Sequence, residues 1–119
     1  MTFSDERKAA LRRGHRGEML AAFALRLRGY RIVDRNFRNR LGEIDIVARK
    51  GDLIAFVEVK VRATHADAIN AVGPKARHRI ANAANSWIGR QPDADRLSWR
   101  FDIIAVTPRR WPRHFEDVF

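Results

Sequence analysis

The sequence predicts an α/β domain with a mixed central sheet flanked by helices, in the order helix, three strands, helix, strand. Three observations carry this expectation. Residues 42–62, GEIDIVARKGDLIAFVEVKVR, hold two strand-length apolar runs on either side of the polar break Lys50, Gly51, Asp52. Stretches at 5–28 and 74–88 carry the spacing of amphipathic helices. Residues 99–106, WRFDIIAV, form a β-branched run ended by Pro108. At 119 residues, 45% of them hydrophobic, the chain is one domain with enough apolar matter for a core.

The first helix is expected over 5–28. Ser4 suits an N-cap, Asp5 and Glu6 suit the first turn, and Gly29 suits the stop. Its first half is basic, with Arg7, Lys8, Arg12, Arg13 and Arg16. Its second half is apolar nearly all round, so burial on more than one side is expected, with Leu20, Phe23, Ala24 and Leu27 as the main stripe. Gly14 and Gly17 each cost ~1 kcal/mol against alanine inside a helix. Both therefore point to close approach of another element or a ligand backbone. Glu18 borders the apolar half and needs a partner, either a metal site or an arginine.

A first strand is expected over 30–37, followed by Arg35, Asn36, Arg38 and Arg40 as candidate phosphate contacts; Asn36 could instead cap the next turn. The hairpin follows. A two-residue loop at Gly51 and Asp52 needs positive φ at its first central position, which glycine supplies. That loop sets Lys50 opposite Leu53, Ile46 opposite Val57 and Ile44 opposite Val59, with both isoleucine pairs on one apolar face. The other face then pairs Asp45 with Glu58 and Glu43 with Lys60. Carboxylates directly across a strand pair repel. A divalent cation would offset that cost, because hard cations take oxygen ligands.

Residues 66–72 suit a short helical turn, and Pro74 suits the first position of the next helix. That helix should bury Ala76, Ile80, Ala84, Trp87 and Ile88 and stop at Gly89. Lys75, Arg77, His78 and Arg79 crowd its first turns, against the helix dipole, so an anion there would offset their placement. His65 is a surface histidine or a phosphate group. In the last strand Asp102 shares a face with Ile104 and Val106, and a structural ion pair is its expected role. The tail adds a short edge strand or packs into a partner chain, which leaves a homodimer open. Trp87, Trp99 and Trp111 are core aromatics or stacking surfaces.

Composition narrows the function. Lys plus Arg number 24 against 14 Asp plus Glu, a net charge of +10, as expected for a polyanion binder. Cysteine is absent, which removes disulfides and thiolate metal sites and is compatible with the cytoplasm. No apolar run is long enough for a membrane span, and the N-terminus has no signal-peptide core, so a cytoplasmic protein is expected. An all-oxygen site argues for Mg²⁺ or Mn²⁺ over Zn²⁺.

Asp45, twelve intervening residues, then Glu58-Val59-Lys60 resembles the Asp…Glu-x-Lys site of the restriction-endonuclease-like (PD-(D/E)XK) nuclease superfamily. More narrowly, five blocks resemble the YraN-like uncharacterised protein family: Gly17-Glu18, Arg35-Asn36, Gly42-Glu43-Ile44-Asp45, Phe56-Val57-Glu58-Val59-Lys60 and Arg100-Phe101-Asp102. The resemblance spans about Gly14 to Phe119. It implies an αβββαβ core and a Mg²⁺- or Mn²⁺-dependent endonuclease acting on DNA phosphodiesters. Asp45 and Glu58 would then hold metal, Glu18 would join them from the first helix, and Lys60 would assist the attacking water. It also implies that Lys75 and Arg79, on the helix after the Glu-x-Lys strand, line the site. Two other readings stand beside it. One is a nucleic-acid-binding domain that cuts nothing. The other is a protein-interaction module using the aromatic tail.

Overall fold

The computed structural model describes residues 3–119, with side chains for all of these except residues 3, 6–11 and 13. The charges expected of Glu6, Arg7, Lys8 and Arg13 lie outside the described side chains. The element order is α1 (Phe3–Leu27), β1 (Arg31–Asn39), β2 (Gly42–Lys50), β3 (Leu53–Val61), α2 (His65–Asn70), α3 (Pro74–Gly89), β4 (Ser98–Val106) and β5 (Arg113–Phe115), with a 3₁₀ turn at Ala94–Arg96. The five strands make one sheet in the order β1-β2-β3-β4-β5. Only β3 and β4 run parallel; the other neighbours are antiparallel. This is a mixed α/β fold consistent with the restriction-endonuclease-like αβββαβ core, extended by α2 and the edge strand β5.

Two apolar layers sandwich the sheet. Under α3 lie Ile44, Val47, Ile54, Phe56 and Ile103, packed on Ile80, Ala83, Ala84, Trp87 and Ile88. Under α1 lie Ile46, Ala48, Ala55, Val57 and Ile104, packed on Ala21, Ala22 and Leu25. Strand β3 is buried on both faces because a parallel pairing puts a crossover helix over the sheet.

Helix α1 ends as its glycine requires. Gly29 has φ +92, its amide donates to the Arg26 carbonyl, and the Tyr30 amide donates to the Leu25 carbonyl, each at 3.0 Å. At the other end the helix begins at Phe3, so Ser4 lies inside it and does not cap it. Only part of the expected stripe is buried. Ala21, Ala22, Ala24 and Leu25 face the sheet, while Met19, Leu20, Phe23 and Leu27 are exposed. The apolar half of α1 therefore has one covered side, because the only layer beneath it is the sheet. Gly17 meets the expected close approach: a Cβ there would stand 2.4 Å from Val61 Cγ2. Gly14 does not, since a Cβ there meets nothing within 4 Å.

The hairpin loop is as expected, with φ +63 at Gly51 and Lys50 opposite Leu53. The pairing runs back to Ile46 opposite Val57 and stops. Ile44 and Ile46 do not share a face: one packs under α3, the other under α1. The pleat is interrupted at Asp45. Across from it on β1, between the pairs Arg35–Ile46 and Phe37–Ile44, Asn36 takes a left-handed conformation with φ 50. A single residue out of step reverses which side each later side chain faces. Asn36 does not cap the following turn. Asn39 does, its side-chain oxygen accepting from the Leu41 and Gly42 amides at 2.9 Å each.

Asp102 is fully buried and carries the expected ion pair. Arg100 Nε donates to both of its oxygens, at 2.9 and 3.1 Å. His114 Nε2 lies 2.7 Å from Asp102 Oδ2, and the Asp117 amide donates to Oδ1 at 2.9 Å. Burial alone would raise the Asp102 carboxyl, yet these donors outweigh it and hold the group below its ordinary value. Arg28 Nη1 stands 2.8 Å from His114 Nδ1. A guanidinium can only donate, so Nδ1 accepts and Nε2 carries the proton toward Asp102.

Candidate active site

The interruption at Asp45 shapes a cleft of about 360 Å³, lined by Gly14, Glu18, Glu43, Asp45, Glu58 and Lys60 among others. Each arrives from a different constraint. Glu18 follows Gly17, whose lack of a side chain lets α1 settle onto Val61. Asp45 sits where the β2–β3 pairing ends, and its side chain replaces the missing backbone partner: Oδ2 accepts from the Val59 amide at 2.8 Å. Glu58 and Lys60 lie two apart on β3, one face of one strand, with Lys60 Nζ 3.1 Å from Glu58 Oε1.

The cleft holds more negative charge than it compensates. Burial, then the neighbouring Glu58, push the Asp45 carboxyl up to about 7; the Val59 amide, which favours the ionised form, only partly opposes them. Glu18 also acts on Asp45 in the raising direction, and Lys60 in the lowering one. Glu58 is raised as well, first by burial, with Lys60 opposing. The coupling is one-sided: Glu58 raises Asp45, whereas Asp45 lowers Glu58 through a side-chain hydrogen bond, so the two carboxyls titrate as a pair. Glu43 pairs with Arg38 at 3.2 Å, not with Lys60 as its expected position opposite that residue would have it.

The donor set fits a hard divalent cation. Among the described residues no three Asp, Glu or His side chains form a ready-made cage. Mg²⁺ does not require one, since it commonly takes one or two carboxylates and fills its remaining positions with water and substrate phosphate. Of the four carboxylates lining the cleft, Glu43 is drawn to Arg38; Asp45 and Glu58 would hold such a cation, with Glu18 on the helix wall.

The expected phosphate contacts are placed elsewhere. Arg35 lines a separate groove with Arg16, Met19, Leu20, Phe23 and Arg26 on the outer face of α1. Asn36 sits in β1 beside the interruption. Lys75 and Arg79 are exposed on α3, and neither is among the residues lining the carboxylate cleft. Arg79 has a different contact: a Cβ at Gly42 would fall 1.8 Å from its backbone oxygen. Sequence reasoning missed Arg62, which lines the cleft next to Lys60. The strand period could have found it, because residue 62 continues the face of 58 and 60.

A model of the uncharacterised protein family UPF0102 matches residues 17–106, a span that includes α1 from Gly17, the whole hairpin and β4. The chain belongs to the UPF0102 family. Its relatives match along nearly their full length. A UPF0102 protein of Chelativorans sp. (strain BNC1) is 58% identical over 113 residues, covering 95% of this chain and 91% of the relative. One of Mesorhizobium japonicum is 55% identical over 116 residues, covering 98% and 93%. One of Rhizobium meliloti (strain 1021) is 57% identical over 116 residues, covering 97% and 95%. The UPF0102 match takes in Glu18, Glu43, Asp45, Glu58 and Lys60, the polar wall of the cleft.

Proposed function

We propose that this UPF0102 protein is a nuclease that hydrolyses DNA phosphodiester bonds with Mg²⁺ or Mn²⁺ held by Asp45 and Glu58. One observation carries the reading: two part-buried carboxylates, Asp45 and Glu58, line one cleft with Lys60, which stands 3.1 Å from Glu58, and burial raises both carboxyls. A bound cation of this kind polarises a phosphate oxygen and lowers the pKa of its water. The chain's own residues do the rest. The Val59 amide fixes the Asp45 carboxylate in orientation. Lys60 places a positive charge where the phosphate gains negative charge. Glu18, on the helix wall, orients the water shell or completes the ligand set. So small a domain presents little surface for reading a long sequence, so backbone and shape recognition suit it better than base readout.

Calorimetric titration of Mn²⁺ into the metal-free protein tests this, beside Asp45→Asn and Glu58→Gln. The expected result is saturable binding lost in both variants, with cleavage of branched or single-stranded DNA lost in Lys60→Ala. Absence of Mn²⁺ binding even with DNA present would overturn it.

A second reading is favoured by the net charge of +10, which does not depend on the carboxylates. A domain that grips nucleic acid without cutting it would bind DNA in a salt-sensitive way, indifferent to Mg²⁺ and to Asp45→Ala.

A further inference from the structure

A furrow of about 690 Å³ continues from the carboxylate cleft. The two share Val61 and Arg62 as lining residues. Gly17, pressed on Val61, marks the divide on the helix side: Glu18 faces the cleft and Arg16 the furrow. The furrow is lined by Arg16, Arg62, Arg109 and Arg110, and by no carboxylate. Among the described residues none of the four guanidinium groups is ion-paired.

Three further details point to a ligand there. Trp111 stands at the far wall 58% exposed, propped edge-on against Phe23 with ring centroids 6.1 Å apart. Thr107, also lining the furrow, is 6% exposed, and its hydroxyl has no hydrogen-bond partner. Arg109 holds φ 60, a conformation that costs free energy for a residue with a side chain and that often marks a binding site. Four uncompensated cations in one channel call for an anion that repeats along its length. An open indole beside them calls for a flat ring. Inside a duplex both faces of a base are already stacked on neighbours, so that ring comes from an unpaired strand.

We propose that the furrow is a track for single-stranded nucleic acid, its phosphates on Arg16, Arg62, Arg109 and Arg110 and a base stacked on Trp111. The track deepens the nuclease reading and rests on it for direction: a strand in it leads through Arg62 to Asp45 and Glu58. Substrates with a free or displaced strand follow from this, in preference to intact duplex.

Fluorescence anisotropy in EDTA tests it without cleavage, using a short dye-labelled DNA strand and the same sequence as a blunt duplex. The single strand is expected to bind more tightly. Trp111→Ala should weaken it about tenfold, while Trp111→Phe keeps most of the affinity. Arg109→Ala with Arg110→Ala should weaken it further and flatten the salt dependence by a slope of roughly 1.4. These arginines are exposed, so that pair reports even where Trp111→Ala does not fold. Equal binding by the furrow variants, or tighter binding of duplex, would overturn the track. So would failure of the strand to bind while an acidic peptide does. The two readings fail separately. Cleavage that persists in the Arg109, Arg110 variant with unchanged affinity removes the track alone. Strand binding that depends on Trp111, with no hydrolysis under Mn²⁺, removes the nuclease alone.

Discussion

The Val59 amide donates to the Asp45 carboxylate at 2.8 Å, although the strands that carry them stop pairing at Ile46 and Val57, one residue short of Asp45 and two short of Val59. A side chain thus stands in for a backbone carbonyl. It buries an acid beside Glu58 that, in the metal-free protein, is hard to ionise. In the unfolded chain Asp45 titrates near 3.8, and in the fold at about 7. Between those values the native state binds more protons than the unfolded one. Stability therefore falls as pH rises through that window, by at most ~4 kcal/mol, and the loss is complete above it. Asp45→Asn should remove this limb while keeping an oxygen for Val59. Urea melts at pH 4 and pH 8 in EDTA should show a smaller difference in the variant than in the native protein.

Asp102 works in the opposite sense. Its donors hold it below its ordinary value, so its contribution is present above pH 3.8 and is lost as pH falls through its lower folded value. Asp102→Ala strands Arg100 and unfastens the tail. The expected cost is about 3–5 kcal/mol, read as a lower urea midpoint at pH 7.

The three glycines that touch the site region separate by neighbour. Gly42→Ala meets the Arg79 backbone oxygen and should abolish folding or cost more than ~3 kcal/mol. Gly17→Ala meets a single valine methyl, so the cost should be ~1–3 kcal/mol and be largely recovered by Val61→Ala. Gly14→Ala meets nothing and should stabilise by up to ~1 kcal/mol. Thermal denaturation of the three variants and the double variant measures this.

Tyr30 receives a hydrogen bond from Arg100 Nη2, beneath the same guanidinium that grips Asp102. Tyr30→Phe should cost ~1 kcal/mol by leaving one donor short. It should leave Mn²⁺ titration of the Asp45 cleft unchanged, since no atom of that network lines it.

Much of this was legible in the chain. The two-residue loop at Gly51 and Asp52 sets the hairpin register, because either short turn that accepts glycine first joins the strands with Lys50 opposite Leu53. The alternation of β4 sorted Ile103 and Ile104 to opposite layers. The break at Asp45 was not legible, because a strand pattern counted by twos carries straight through it. A count by twos puts Ile44 on the face of Ile46 and Glu43 opposite Lys60, whereas Ile44 packs in the other layer and Glu43 lies across from Arg38. The exposed side of α1 was missed for a related reason: apolar residues all round a helix signal two contacts, and they do not say whether both lie within the chain. His114 carries no signal in the sequence, because its partners, Arg28 and Asp102, are 86 and 12 residues away. No local spacing announces such a meeting.

The interruption at Asp45 also bears on how the molecule comes apart. Strand β2 sends Ile44 into one apolar layer and Ile46 into the other. Neither layer can open without loosening the same short ribbon, which works like a rivet through a laminate. Loss of helix and loss of tertiary packing should then coincide in a single transition, and trimming either isoleucine to valine should shift both signals together.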